Sequence, residues 1–285
     1  MSFIIKTLPK DNWPESLFHI PQEPKEIFYA GELPKDGNKL LCIVGSRRYT
    51  PYGKEACEKI ILGLAGLPIT IISGLALGID SIAHKSALQA GLQTIAVPGS
   101  GLDPSVLYPR SHTGLAEEII KNGGGLISEF EPQTKAAPWT FPQRNRIMAG
   151  LSEAIIVIEA EEKSGTLITS RLATDYNKDV GAVPGSIFSP HSSGPHMLIR
   201  LGATPIRNSD DVIEMLGLSN EPKTDRIPLN ISEKEQSVLD IITEPLSRSD
   251  ILRLSPLGTN ETQAIIMSLE ISGHIEERMG KIFRV

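Results

Sequence analysis

The stretch Phe141-Pro142-Gln143-Arg144-Asn145-Arg146-Ile147 sets two guanidinium groups on either side of an amide, just after an aromatic ring and a proline. A second pair, Arg47-Arg48, follows the apolar run Leu40-Leu41-Cys42-Ile43-Val44 and the dipeptide Gly45-Ser46. Guanidinium forks match the oxygens of a phosphate, and free backbone N–H groups at a helix start add fixed positive charge. Gly45, Ser46, Arg47 and Arg48 therefore read as an anion clamp, and Arg144, Asn145 and Arg146 as a second one. Ser73-Gly74 at a strand end and Gly165-Thr166 at a helix start are further anion cradles. Phe141 or Trp139 offers a ring to a base, a contact worth about 1–3 kcal/mol per base in single-strand binding. The chemistry is recognition of phosphate.

Each feature also has a plainer reading. Arg47 and Arg48 could bond helix carbonyls or acidic neighbours, and Arg144 and Arg146 could pair with the acidic cluster Glu159, Glu161 and Glu162. Ser73-Gly74 could be tight packing and Gly165-Thr166 an ordinary helix cap. Asp80 and His84 share one helix face at a spacing of four, but no third ligand of suitable spacing accompanies them. Tyr108, near the open turn Gly99-Ser100-Gly101, either stacks on a base or packs its loop. No Ser-His-Asp, Cys-His or paired-carboxylate arrangement can be placed, and Gly-x-Ser-x-Gly is absent. No catalytic residue, cofactor or metal is expected.

What must position these groups is a sheet. Apolar runs at 40–44, 69–73, 94–97, 125–128, 154–158 and 180–183 alternate with helix-like segments at 51–66, 79–91, 113–122, 143–151, 166–177 and 195–202. Such alternation argues for a parallel sheet covered on both faces, with ligands outside the carboxyl ends of the strands. The expected class is α/β, an extended Rossmann-like doubly wound, mostly parallel sheet over 39–217. Thr50-Pro51 predicts a helix start, Thr as cap and Pro at the first helical position. The loop 45–49 is neither Gly-x-Gly-x-x-Gly nor a Walker loop, which counts against dinucleotide and ATP ligands. Residues 1–38, with Pro9, Pro14, Pro21, Pro24 and Pro34, predict an extended proline-rich arm with short helical turns. Residues 218–230 read as a linker. Residues 231–285 read as a small C-terminal winged-helix domain, with helices at 232–243, 247–254 and 260–272 and a hairpin of 274–278 and 281–285 turning at Met279-Gly280.

The formal net charge of the 285 residues is −6, which speaks against a nucleic-acid partner only at long range. Salt screens charges beyond roughly 8–10 Å, so a local basic stripe suffices. Aromatic residues make up 5%, so the core must come from Ile, Leu, Val and Ala. Cys42 and Cys57 read as reduced core residues. No run of about 18 apolar residues occurs, so no membrane span is expected, and the chain reads as cytoplasmic.

Several collinear motifs resemble the bacterial DNA-processing protein A family over about residues 40–216. They are Val44-Gly45-Ser46-Arg47, Ser73-Gly74-Leu75-Ala76 with Gly78-Ile79-Asp80, Gly101-Leu102-Asp103 with Tyr108-Pro109, Phe141-Pro142 with Arg144-Asn145-Arg146-Ile147, Ser164-Gly165-Thr166-Leu167, and Ala182-Val183-Pro184-Gly185. The resemblance implies a non-catalytic protein that binds single-stranded DNA, protects incoming DNA and loads RecA recombinase during natural transformation, as a homodimer through the Rossmann-like domain. It implies a DNA pocket at Gly45, Ser46 and Arg47 and around Phe141, Arg144, Asn145 and Arg146. His112 and His196 stand where the family often has Asn. The rival reading is a nucleotide-processing Rossmann enzyme, nucleoside monophosphate phosphoribohydrolase-like. Of that group's Pro-Gly-Gly-x-Gly-Thr loop with a downstream Glu, only Gly165-Thr166 is present. A third reading is an interaction scaffold.

The tail is expected to bind protein rather than DNA. A winged helix normally offers basic or amide side chains from its third helix, but residues 260–272 contain no Lys or Arg and two Glu. Residues 221–285 carry 8 Lys and Arg against 11 Asp and Glu, so phosphates would be repelled. A chain ending near Leu216 is expected to keep most of its affinity for oligothymidylate in a mobility-shift titration. Loss of binding by a folded truncation of unchanged oligomeric state would move the site to the tail.

Overall fold

Along Lys39–Val44, Leu41 and Ile43 pack into one apolar cluster and Cys42 and Val44 into another. Successive side chains of a strand face opposite sides of the sheet, so both faces must be covered. The computed structural model describes residues 3–162, 164–218, 232–242, 245–271, 274–278 and 280–284. Its contacts divide into two compact units, Met1–Asn220 and Glu221–Val285.

The first unit runs β1 (Ile5–Thr7), β2 (Phe28–Gly31), β3 (Lys39–Val44), α1 (Pro51–Leu62), β4 (Ile69–Ser73), α2 (Ile79–Gln89), β5 (Gln93–Ala96), α3 (Thr113–Lys121) and β6 (Gly125–Ser128). It continues with α4 (Thr140–Leu151), β7 (Ala154–Val157), α5 (Thr166–Asp175), β8 (Asp179–Ala182), α6 (Ser193–Arg200), β9 (Thr204–Pro205) and α7 (Ser209–Met215). The strands form one sheet of order β1-β2-β6-β5-β4-β3-β7-β8-β9. Pairing is parallel from β6 to β9, and β2 joins β6 antiparallel. This is the doubly wound, mostly parallel α/β class. One face packs on Ile60 and Ile61 of α1, Ile82 of α2 and Val212 of α7. The other packs on Ile147 and Leu151 of α4, Ala173 of α5 and Leu198 of α6. The chain builds outward from β3 through β4, β5 and β6, then returns to lay β7 on the other side of β3. The strand order therefore reverses between β3 and β7, the place where such sheets bind ligands.

Most strand limits fall within a residue of expectation. Thr50 caps α1, its hydroxyl accepting from Gly53 N at 3.2 Å, with Pro51 at the first position. Two differences matter. Helix α4 begins at Thr140, before the expected 143, because Pro142 sits in the first turn, where its missing N–H costs nothing. Residues 3–38 hold the expected short turns but are more than an extended arm. They supply β1 and β2, two short 3-10 turns (Lys10–Asn12 and Glu15–Phe18), and the buried Leu8, Trp13, Leu17, Ile20 and Ile27. Prolines that keep this segment from forming long elements do not keep it from packing.

Of the expected linker 218–230, only Leu218 lies among the described residues. The second unit contains α8 (Glu233–Leu239), α9 (Arg248–Leu254), α10 (Thr259–Ile271), β10 (Ile275–Arg278) and β11 (Lys281–Arg284). Ser232 and Glu235 form a capping box on α8. Strands β10 and β11 pair antiparallel, and Leu246 bridges Ile282. Val238, Ile251, Ile266 and Ile282 share its core. Thr243, Ser272, Met279 and Val285, within or between the expected tail elements, lie outside the described residues. No helix among the described residues is long and apolar enough to cross a membrane.

The Trp13 indole packs in the main core and donates its N–H to Leu8 O at 3.0 Å. Trp13→Ala is expected to cost about 3–5 kcal/mol in urea unfolding, as for other large buried aromatics. Phe18→Ala, at a ring left 43% exposed, should cost far less. Equal small losses would mean that the segment is not integral to the fold.

Candidate nucleic-acid interface

Beyond the carboxyl ends of β3 and β7 lies a cavity of about 450 Å³. It is lined by Gly45, Ser46, Arg47 and Arg48 after β3, by Phe141, Arg144 and Asn145 of α4, and by Gly165 and Thr166 at the start of α5. Ala76, from the β4–α2 connection, and Asp80, in the first turn of α2, line one wall. The two loops touch because Gly78 caps α2 at φ +86°. A Cβ there would meet Arg47 Cα at 2.7 Å. Ile79 N in turn donates to Ser46 O at 3.2 Å.

The loop after β3 is tied so that its arginines face out. Ser46 Oγ accepts from Arg48 N at 3.0 Å and donates to Arg48 O at 2.8 Å. Arg47 and Arg48 are exposed. Among the described residues no carboxylate lies within ion-pair distance of either. The Arg47 guanidinium carbon stands 5.2 Å from the Phe141 ring centre, a cation–π arrangement. Tyr108 meets the same ring edge-on at 5.6 Å and is itself 45% exposed. Trp139 lies edge-on to Phe130. Thr166 Oγ1 donates to Gly45 O at 3.1 Å, so the start of α5 is fastened to the same loop.

The arginines of α4 behave differently. Arg144 is buried, with Nη1 donating to Gly74 O at 2.5 Å and to Val97 O, and Nε donating to Asn145 Oδ1 at 3.0 Å. Burial pulls its pKa down, and the Asp80 carboxylate opposes this. Burial likewise pushes Asp80 up, against Arg144 and the amides of Ala76 and Gly74, the latter donating to Oδ2 at 3.1 Å. Arg144 thus forms the floor of the cavity rather than a free clamp.

Arg146 is not brought to the cavity. It pairs with buried Glu129 and with Gln22 O, and Gln143 Nε2 also reaches Glu129, at 3.0 Å. Its partner is therefore Glu129, not the cluster Glu159, Glu161 and Glu162. The outer side of α4 is covered by the 3-10 turns, so a charge there must find an internal partner. Ser73 and Gly74 also sit behind the lining. Ser73 Oγ donates to Ile43 O at 2.7 Å, and Gly74 O holds Arg144.

His84 is not paired with Asp80 as an acid–base couple. It is buried against Thr94 at 2.8 Å, and burial drops its pKa to about 3. No group of three or more His, Cys, Asp or Glu among the described residues could hold a metal. Cys42 and Cys57 are free and buried, and burial pushes both thiols up.

Sequence reasoning missed the role of Glu159, which follows β7. Its Oε2 accepts from Thr50 N at 2.9 Å and its Oε1 from Thr50 Oγ1 at 2.5 Å. The signal was available: the first turn of α1 has no acidic residue of its own.

Fold and cavity together define a doubly wound α/β protein with a cationic, aromatic-edged crevice at its switch point. Residues 4–217 match the family model described as DNA recombination-mediator protein A, and the chain belongs to that family. It is 40% identical to Protein Smf of Escherichia coli over 73% of this chain and 56% of that protein, so it spans just over half the length of that relative. It is 42% identical to DNA processing protein DprA of Streptococcus pneumoniae over 71% of each chain. Among solved structures, DNA processing protein A from Streptococcus pneumoniae superposes with a TM-score of 0.68 at 39% identity, covering 74% of each chain. The Helicobacter pylori protein, whose structure concerns its single-stranded DNA binding mode, gives 0.68 at 32% identity over 76% of this chain and 98% of that one.

Substitutions separate the two kinds of arginine. Arg144→Ala and Arg146→Ala each leave buried partners unpaired and are expected to cost about 3–5 kcal/mol in urea unfolding. Arg47→Ala, at an exposed position, should change stability by no more than about 0.5 kcal/mol. A wild-type midpoint for Arg144→Ala would show that its contacts do not hold the fold.

Proposed function

We propose that the chain binds single-stranded DNA in the switch-point cavity, without catalysis, and delivers the strand to RecA recombinase during natural transformation. The observation that carries this reading is the pair of exposed, unpaired cations, Arg47 and Arg48, beside the Phe141 and Tyr108 rings. Cations that track phosphates next to rings that stack on any base are what sequence-tolerant single-strand binding requires. Gly165 and Thr166 extend the phosphate path along the start of α5. Arg144 and Asn145 floor the cavity, while Ser73, Gly74 and Arg146 support it from behind. Family membership and the relatives' DNA-processing names point the same way. Homodimerisation through this unit is part of the proposal. Large apolar side chains exposed at Ile187, Phe188 and Leu201 suit such a contact. In the rival enzyme reading the cavity would need a free acid. Asp80 is spent on backbone amides and the Ser46 hydroxyl on Arg48, which leaves Glu161 of the lining as that reading's one candidate acid among the described residues.

Arg47→Ala should weaken oligothymidylate binding by about 1.5–3 kcal/mol, the worth of a hydrogen bond to a charged group. Lys223→Ala, in the polar stretch 218–230, should not. Binding should fall with salt at a slope of about −0.7 per phosphate contact, be nearly indifferent to base sequence, and lose one such contact in Arg47→Ala. Equal affinities for both variants and wild type, or an affinity independent of salt, would refute the site.

A further inference from the structure

In a doubly wound sheet, the helix after the first central strand usually holds a ligand phosphate at its N-terminus. Its unpaired N–H groups and its dipole both favour an anion there. Here that helix is α1, and an anion is already in place. Glu159 is 2% exposed and both its carboxylate oxygens accept from Thr50, one from the backbone N and one from the hydroxyl. The same hydroxyl accepts from Gly53 N, so two donors of the helix start close on one side chain. The carboxylate also lies directly against the helix backbone. A Cβ added to Gly53 would collide with Glu159 Oε2, Cδ and Cγ. A glycine backbone pressed by an oxyanion is the environment a bound phosphate would have. Yet Glu159, Thr50 and Gly53 are not part of the cavity lining, which takes only residues 45–48 from this loop.

We propose that Glu159 is a specificity determinant, a built-in anion that fills the phosphate position of α1. The start of α1 therefore offers no seat for the terminal phosphate of a free nucleotide. Phosphate is taken only along a strand, past Arg47 and Arg48. The last statement rests on the single-stranded DNA reading; the closure of the α1 position does not.

The test uses inorganic phosphate and dTMP on the full chain, followed by calorimetry and thermal shift. Wild type and Glu159→Gln, which keeps the bulk of the side chain, should show no saturable binding of either probe. Glu159→Ala vacates the position beside Gly53 and should bind phosphate about tenfold or more tighter than wild type, the scale of a favourable helix-terminus interaction. A folded Glu159→Ala protein no more responsive to phosphate than wild type would overturn the proposal. If that variant does not fold, direct titration of the wild type decides. No saturable dTMP binding supports the closure, and a saturable dTMP site overturns it. Neither arm uses DNA, so failure of the wild type to bind oligothymidylate would remove the DNA reading and leave the closure standing on its own result.

Discussion

The buried guanidinium of Arg144 is the contact on which the site depends. Parallel strands end in carbonyls that their neighbours no longer satisfy, and here Gly74 O and Val97 O, just past β4 and β5, converge on one Nη1. A charge taken out of water costs several kcal/mol unless it is paired and fully bonded. Arg144 is tolerated only because Asp80, the two carbonyls and Asn145 Oδ1 are all in place. That requirement fixes α4 against the strand ends. It also fixes Phe141, three residues earlier on the same helix, at the cavity mouth beneath Arg47. Asp80 carries the constraint further, since its bonds to the amides of Gly74 and Ala76 set the turn that forms the adjacent wall.

One residue type thus serves two opposite purposes in one unit. Arg144 and Arg146 are bonded to groups inside the protein and organise it, although Arg146 Nε is left without a partner; Arg47 and Arg48 face outward, with no ion pair among the described residues. The difference lies in the elements. Helix α4 is enclosed by the sheet on one side and by the turns of residues 10–18 and helix α5 on others, so every residue from Arg144 to Leu151 is buried. The loop after β3 is held by its own backbone and by Ser46, and among the described residues its arginines form no ion pair.

The alternation of apolar strands with helices made the sheet, its class and the ligand-bearing strand ends legible, and Thr50-Pro51 marked the start of α1. These are local signals, carried by side-chain period and cap chemistry. The packing of residues 1–38 was not legible. Trp13, Leu17 and Ile20 keep a helix-like spacing, but Pro14 and Pro21 interrupt it and Leu8 falls outside it, so an integral part of the core reads as an extended arm. The roles of Arg144 and Arg146 were hidden for the same reason. Whether a guanidinium on α4 faces solvent depends on what covers the helix, and the cover is that same irregular segment. Glu129, the partner of Arg146, lies just past β6, and only the fold brings them together.

The Glu159 clamp takes one strand-end carboxylate out of reach of the exposed arginines. Glu159 follows β7 at the same sheet end as Arg47 and Arg48, but both its oxygens are occupied by Thr50. The loop from 46 to 50 therefore has a carboxylate locked behind it and two cations free in front, although the chain as a whole carries a charge of −6. At physiological salt the field of distant acidic residues fades over a screening length of about 8 Å. A polyanion arriving at the cavity responds to the local cations only near contact. Long-range steering, which speeds association when a whole surface is complementary, is weak for such a protein. On the proposed reading, affinity comes from contacts made after arrival: arginine to phosphate and ring to base.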